Sequence, residues 1–175
     1  MYQGIRYTLL LIVLALLQSL VFNQVQISVY FNPLIYVAFV MLLPMRTQPI
    51  IVLMCGLLVG VLMDVTMGLA GVNTIASLLT AYLRPLMLRL VMGRDNAVEG
   101  GIPAPMQVGV GKFISYASVF TLVQSVVFFA LEAMTLRYAH LIAIKVVLNT
   151  AVTVALVMAV AAFFAPKNYN NSFLD

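Results

Sequence analysis

Asp64 is a single carboxylate within an apolar segment, and glycines recur at four-residue spacing on both sides of it. The segment reads MCGLLVGVLMDVTMGLAGVN, in which Gly56, Gly60, Asp64 and Gly68 fall at every fourth position. A helix would place these positions along one face. An isolated charge at the centre of a membrane helix costs about 2.5–3.5 kcal/mol. The carboxylate therefore needs a partner.

Lys145 is the predicted partner of Asp64. Counted along helices at 1.5 Å per residue, both residues lie roughly 7–8 Å below the same membrane surface. We therefore predict an ion pair that fixes the third apolar segment against the sixth. Three alternatives stay open: Glu132 competes for Lys145, Asp64 caps local backbone near Gly68, or Asp64 contacts a partner protein.

The other residues that could do chemistry are isolated. Cys55 and His140 are the single cysteine and the single histidine, and neither has neighbours at the spacing of a metal site. Asp95, Glu99 and Asp175 lie in predicted loop or tail and are expected to be solvated. Since no nucleophile–base pair stands out, the sequence predicts no enzyme, no cofactor and no metal site.

The elements that position these residues follow from the composition. Of the 175 residues, 64% are hydrophobic and only 8% are charged, whereas soluble domains carry about 25% charged residues. The apolar residues form blocks long enough to cross a bilayer, which predicts a single all-α domain, a compact bundle of six transmembrane helices. The predicted spans are about 7–23, 27–43, 49–68, 73–90, 113–131 and 141–165, with a cytoplasmic loop at about 91–112.

The basic residues predict the orientation, because Lys and Arg concentrate in short cytoplasmic loops. Arg137 and Lys145 fall on one side of the six-span arrangement, and the other seven basic residues fall on the opposite side. Both termini are therefore expected in the cytoplasm. No basic run or basic face with interleaved aromatics is present, so nucleic acid is not a predicted partner. The seven are Arg6, Arg46, Arg84, Arg89, Arg94, Lys112 and Lys167.

Small and polar residues predict close helix contacts. The pair Gly56-xxx-Gly60 allows another backbone to approach, either within this chain or from a partner. Ala15-xxx-Ser19 is a milder version on the first helix. Two polar faces are expected to hold the bundle together: Ser118, Thr121 and Ser125 on the fifth helix, and Lys145, Asn149 and Thr153 on the sixth.

In their order and spacing, these motifs resemble MreD, the small multi-pass subunit of the bacterial cell-elongation (Rod) complex. The resemblance rests on Asn32-Pro33, Leu43-Pro44 and GLLVGVLMDVTMGLAGVN. AYLRPLMLRLVMGRD and the stretch from IPAP to FFALE are most similar to the Bacteroidetes branch. The similarity extends over essentially the whole chain. The family-like positions are Pro33, Pro44, Gly56, Gly60, Asp64, Gly68 and Gly71.

The resemblance implies a non-enzymatic scaffold of the bacterial inner membrane that helps to organise peptidoglycan synthesis and rod cell shape. The implied partners are a single-span MreC-like protein, the MreB filament and the RodA–transpeptidase synthase, reached directly or through MreC. Membrane lipid and a second copy in a homodimer complete the expected partners.

The resemblance also implies a bundle like the substrate-binding subunits of energy-coupling-factor transporters. A vitamin-binding subunit of such a transporter is therefore the alternative function. That role needs a pocket with polar and aromatic side chains. The chain contains no tryptophan, and its predicted outer loops are short and nearly free of charge.

Overall fold

A computed structural model describes residues 34–99, 102–133 and 139–164 of the chain. These residues form six helices, and no strand occurs among them. The first predicted span, Pro33 and the beginning of the second span lie outside the described residues. The helices are α1 (Val37–Met41), α2 (Pro49–Met67), α3 (Val72–Glu99), α4 (Pro105–Val108), α5 (Val110–Ala133) and α6 (Ala139–Phe164).

Four of these helices are long and apolar enough to cross a membrane, which makes the chain a multi-pass membrane protein. The qualifying stretches lie within α2, α3, α5 and α6, and they coincide with the third to sixth predicted spans. Their ends differ from the predicted ends by up to three residues. The stretches are Pro49–Met67, Val72–Gly93, Val110–Ala133 and His140–Ala162.

The residues around α1 form the centre of the described bundle. All side chains from Leu34 to Leu43 are buried, and α1 contacts α2, α3 and α5. Only Val37–Met41 is helical within this part of the second predicted span. The long helices pack in chain order, α2 on α3, α3 on α5 and α5 on α6.

Proline and glycine define the ends of α2. Pro49 occupies its first turn, where the missing N–H leaves no helical hydrogen bond unmade. Gly68 ends the helix with a φ of +68°, and Gly71 follows with a φ of +89°. Such left-handed conformations carry no steric penalty for glycine. The chain therefore reverses direction in a short turn, and α3 runs back alongside α2.

Much of the segment predicted as a cytoplasmic loop, 91–112, is helical. α3 continues through Pro85 and ends at Glu99, although Gly93 (φ +80°) interrupts its helical path. Proline within a helix removes one hydrogen bond and bends the axis. After the short α4, α5 begins at Val110, three residues before the predicted start of that span.

Candidate functional site: a buried polar network around Asp64

The glycine face of α2 packs against α3 within the same chain. A Cβ atom added at Gly60 would lie 2.5 Å from the Cα of Thr74. One added at Gly56 would lie 2.8 Å from the Cβ of Ala81. Both distances are too short for real contacts, so only glycine permits this approach. The neighbour of this face is therefore internal, one of the two predicted possibilities.

Asp64 caps the beginning of α3. Its Oδ1 accepts hydrogen bonds from the backbone N–H of Asn73 at 2.9 Å and from the side-chain amide of Asn73 at 3.1 Å. Its Oδ2 accepts the backbone N–H of Thr74 at 2.9 Å and the hydroxyl of Thr74 at 2.5 Å. A carboxylate at a helix N-terminus satisfies unpaired N–H groups and is stabilised by the helix dipole.

The predicted Asp64–Lys145 ion pair is wrong. Lys145 Nζ lies 3.9 Å from Glu132 Oε2 and 5.7 Å from the ring centre of Phe129. The competing pair with Glu132 is thus the one that forms, at a partly exposed site. Capping, the other alternative considered for Asp64, is the role the structure gives it. The capped backbone belongs to the next helix rather than to the residues near Gly68.

A chain of buried hydrogen bonds extends from Asp64 into the bundle. Asn73, whose amide donates to Asp64, accepts the hydroxyl of Tyr36 at 2.7 Å. That hydroxyl in turn accepts the side-chain amide of Gln124 at 3.1 Å. The Thr80 hydroxyl lies 2.7 Å from Gln124 Oε1 and 2.8 Å from the Ala76 carbonyl. From Gln124 to Asp64 each link donates towards the carboxylate, so the bonds polarise one another.

This network joins four parts of the fold. Tyr36 precedes α1, Asp64 is on α2, Asn73 and Thr80 are on α3, and Gln124 is on α5. All five side chains are buried. Because both oxygens of Asp64 are occupied by donors, the arrangement holds helices in register and leaves the carboxylate no free lone pair facing an open cavity.

The two predicted polar faces take part in packing to different degrees. Thr153 on α6 accepts the backbone N–H of Leu34 at 3.2 Å, which ties α6 to the central segment. Asn149 donates to the carbonyl of Lys145 at 2.7 Å, within its own helix. Thr121 on α5 likewise returns its hydroxyl to the Ala117 carbonyl at 2.6 Å. These last two bonds satisfy buried groups without joining helices.

The remaining predicted positions have mainly conformational roles. Nothing lies within 4 Å of a Cβ built on Gly68 or Gly71, so these glycines form the α2–α3 reversal and make no close helix contact among the described residues. The carbonyl of Pro44 accepts the N–H of Thr47 at 3.1 Å in the turn before α2. Cys55 is a half-buried free thiol.

Arg84 is a residue that sequence reasoning misplaced, because it was counted with the cytoplasmic loop charges. The structure buries it within α3, with 1% of its surface exposed. Its guanidinium donates from Nη2 to the carbonyls of Met41 and Leu43 at the end of α1. Its Nε has no hydrogen-bond partner.

A pattern in α3 could have identified both Arg84 and the network. Asn73, Ser77, Thr80 and Arg84 recur at spacings of four, three and four, which is the period of one helical face. A polar face inside an otherwise apolar membrane span indicates a face turned towards the protein interior. All four side chains are buried in the structure.

The contacts around Asp64 and Gly60 are hydrogen bonds and close packing contacts. No group of three or more His, Cys, Asp or Glu side chains able to hold a metal ion occurs in residues 34–99, 102–133 and 139–164. Comparison of the chain with protein-family models, curated proteins and solved structures returns no match.

Proposed function

We propose that this protein is a non-enzymatic scaffold subunit of a bacterial cell-elongation (Rod) complex, as its resemblance to MreD implies. In this proposal it lies in the inner membrane with both termini in the cytoplasm. It binds a single-span MreC-like protein and, directly or through that protein, the MreB filament and the RodA–transpeptidase synthase.

The observation that supports this proposal is that the residues of the family-like motif act together to form one helical hairpin. Gly56 and Gly60 bring α2 and α3 into contact, Gly68 and Gly71 reverse the chain between them, and Asp64 caps α3. One short motif thus builds a complete helical hairpin. A motif that specifies architecture rather than a reaction is what a scaffold requires.

The outer surface of this hairpin is suited to other membrane components. Large apolar side chains on α2 and α3 recur at helical spacing and remain exposed in the single chain, so they face lipid or the span of a partner. The α2 residues are Ile50, Met54, Leu58, Val61 and Val65, and the α3 residues are Ile75, Leu79, Tyr82, Leu86 and Leu90.

Partner identification after purification in mild detergent tests the proposal directly. The tagged chain, isolated from its own bacterium after cross-linking, is expected to retain a single-span MreC-like protein and the peptidoglycan synthase. A tagged multi-pass protein of the same membrane with unrelated function serves as the control. Depletion of the chain is expected to round the cells.

Two results would contradict the scaffold role. One is recovery of a vitamin with the purified chain together with ATP-hydrolysing transporter subunits, which would favour the transporter alternative. The other is unchanged cell shape after depletion verified by immunoblotting.

A further inference from the structure

A cavity of about 640 Å³ opens at the end of the bundle opposite Asp64. It lies between the turn that precedes α2, the first residues of α2 and the second half of α3. Ligand pockets have volumes of about 300–1,000 Å³, so this one is large enough for a small molecule or a lipid headgroup. Arg46, Arg84 and Arg89 are among its lining residues.

The buried guanidinium of Arg84 needs more compensation than its described contacts give. Two carbonyl oxygens and the Tyr116 hydroxyl contact the guanidinium, but all three are uncharged, and Nε is buried without a partner. A buried charge without a counter-charge destabilises the fold, because water no longer solvates it. An anion in the adjoining cavity would supply that counter-charge.

Asp64 and Glu132, the two acids whose side chains the structure describes, do not neutralise Arg84. Asp64 and Glu132 are engaged at the opposite end of the bundle. Residues 1–33 contain neither Asp nor Glu.

Three further features of the cavity favour a phosphate group. Arg46 and Arg89 are exposed at its edge, and guanidinium groups bind phosphate oxygens in bidentate geometry. The N-terminus of α2 also reaches the cavity, and its N-cap Gln48 makes no side-chain hydrogen bond to the helix. The positive end of the helix dipole attracts anions at such a terminus.

The apolar part of the lining indicates what kind of molecule bears the phosphate group. Val52, Pro85 and Leu88 line the cavity beside the arginines. A phospholipid offers both a phosphate and an apolar body, and it is present at high concentration at this surface of the membrane. A soluble phosphate would use the arginines alone.

We propose that this cavity is a binding site for a phosphate group, supplied by the headgroup of an anionic phospholipid or by a soluble phosphate. Arg84 supplies a buried positive charge beside the anion, and the exposed Arg46 and Arg89 bind it at the membrane surface. The site is independent of the proposed scaffold role, since it depends only on the residues that line the cavity.

Lipid retention by the full-length chain, measured by native mass spectrometry, tests the site. The chain is purified in mild detergent and titrated with phosphatidylglycerol or with phosphatidylcholine, and inorganic phosphate is added in a separate series. The test variant combines Arg46→Gln and Arg89→Gln, both at exposed positions, so that folding is preserved. Lys112→Gln removes an exposed charge from the beginning of α5 without touching the cavity and is the matched control.

We expect the wild type to retain phosphatidylglycerol in preference to phosphatidylcholine. The double variant should bind it at least about tenfold more weakly, because charge-assisted hydrogen bonds are lost. Lys112→Gln should stay within about twofold of wild type. Arg84→Lys should also weaken retention, since the ammonium cannot reproduce the planar fork.

The inorganic phosphate series separates the two sources. Binding of phosphate that depends on Arg46 and Arg89, without preference for the anionic lipid, would assign the site to a soluble phosphate. Equal retention of both lipids, without arginine-dependent phosphate binding, would overturn the proposal. Unchanged affinity of the folded double variant for both anions would overturn it as well.

Discussion

At the scale of single residues, one network of buried polar side chains is organised around the charge of Asp64. Four donors from Asn73 and Thr74 converge on this carboxylate. Hydrogen bonds to a charged group contribute about 1.5–3 kcal/mol each, more than neutral ones. This explains how an embedded acid is accommodated without an ion pair, and it predicts that charge and shape both matter at this position.

Asp64→Asn should destabilise the protein by about 2–4 kcal/mol. An asparagine retains one acceptor, but its amide group must face either the donors of Asn73 or those of Thr74. Thermal unfolding of the purified protein in mild detergent measures the effect. Val65→Ala changes an exposed neighbour and should shift stability by no more than about 0.5 kcal/mol. Equal stability of Asp64→Asn and wild type would remove the capping role.

Tyr36→Phe should cost about 1–3 kcal/mol, because it leaves the Asn73 oxygen without the donor from Tyr36 and removes one of the two hydrogen bonds of the Gln124 amide. Tyr82→Phe is the control, because it makes the same chemical change on α3 at a position where the side chain is exposed. In the same unfolding assay the control should lose less stability. If the two variants unfold at the same temperature, the hydroxyl of Tyr36 does not stabilise the network.

At the scale of elements, the α2–α3 hairpin depends on backbone contact. Gly60 approaches the backbone of α3 near Thr74, and backbone cannot move aside as a flexible side chain can. Overpacking of a close contact costs about 1–3 kcal/mol. Substitutions at this position therefore test the hairpin more directly than changes to its apolar outer face.

Gly60→Ala should lower stability by about 2–3 kcal/mol, and Gly60→Leu should prevent folding or partner capture. Gly111→Ala makes the same chemical change in a helix where nothing lies within 4 Å of the new Cβ. It should be neutral or slightly stabilising, because alanine favours helix. Leu57→Val, on the outer side of α2, should be nearly silent. Normal unfolding of Gly60→Ala would refute the close contact.

Much of this level of structure could be predicted from the sequence. The thickness of the hydrocarbon layer fixes the length of an apolar span, so α2, α5 and α6 were predicted within three residues at either end. The close contact at Gly56 and Gly60 could be predicted because only small residues allow backbones to approach.

The partner of Asp64 could not be predicted in the same way. Counting residues gives the depth of a side chain but not its direction around the helix axis, and α6 packs on α5 rather than on α2. Asp64 and Lys145 can therefore share a depth without meeting. The network also depends on Tyr36 and Gln124, which come from separate segments of the chain and show no spacing that links them.

At the scale of the whole molecule, the two ends of the bundle differ in charge. Asp64, Glu132 and Lys145 lie towards one end, where acids and base are already compensated. Arg46, Arg84 and Arg89 gather towards the other end around the cavity. Since basic residues near the ends of spans favour the cytoplasmic side, this asymmetry predicts how the protein sits in its membrane.

Reporter fusions along the chain should place the arginine-rich end in the cytoplasm. A fusion after Arg46 lies just before α2, and one after Asn96 follows the interruption at Gly93, so both should read cytoplasmic. A fusion near Ala70 lies in the α2–α3 reversal and should read external, since α2 is long enough to cross the hydrocarbon layer once.

The fusions after Arg46 and near Ala70 are the internal control, because these two reporters must read opposite sides in any correct topology. An external signal from the Asn96 fusion would overturn the six-span arrangement, whereas inversion of every reporter would retain the spans and overturn only the orientation. The complete expected set is cytoplasmic after Arg6, Arg46, Asn96 and Asn170, and external near Gln26, Ala70 and Arg137.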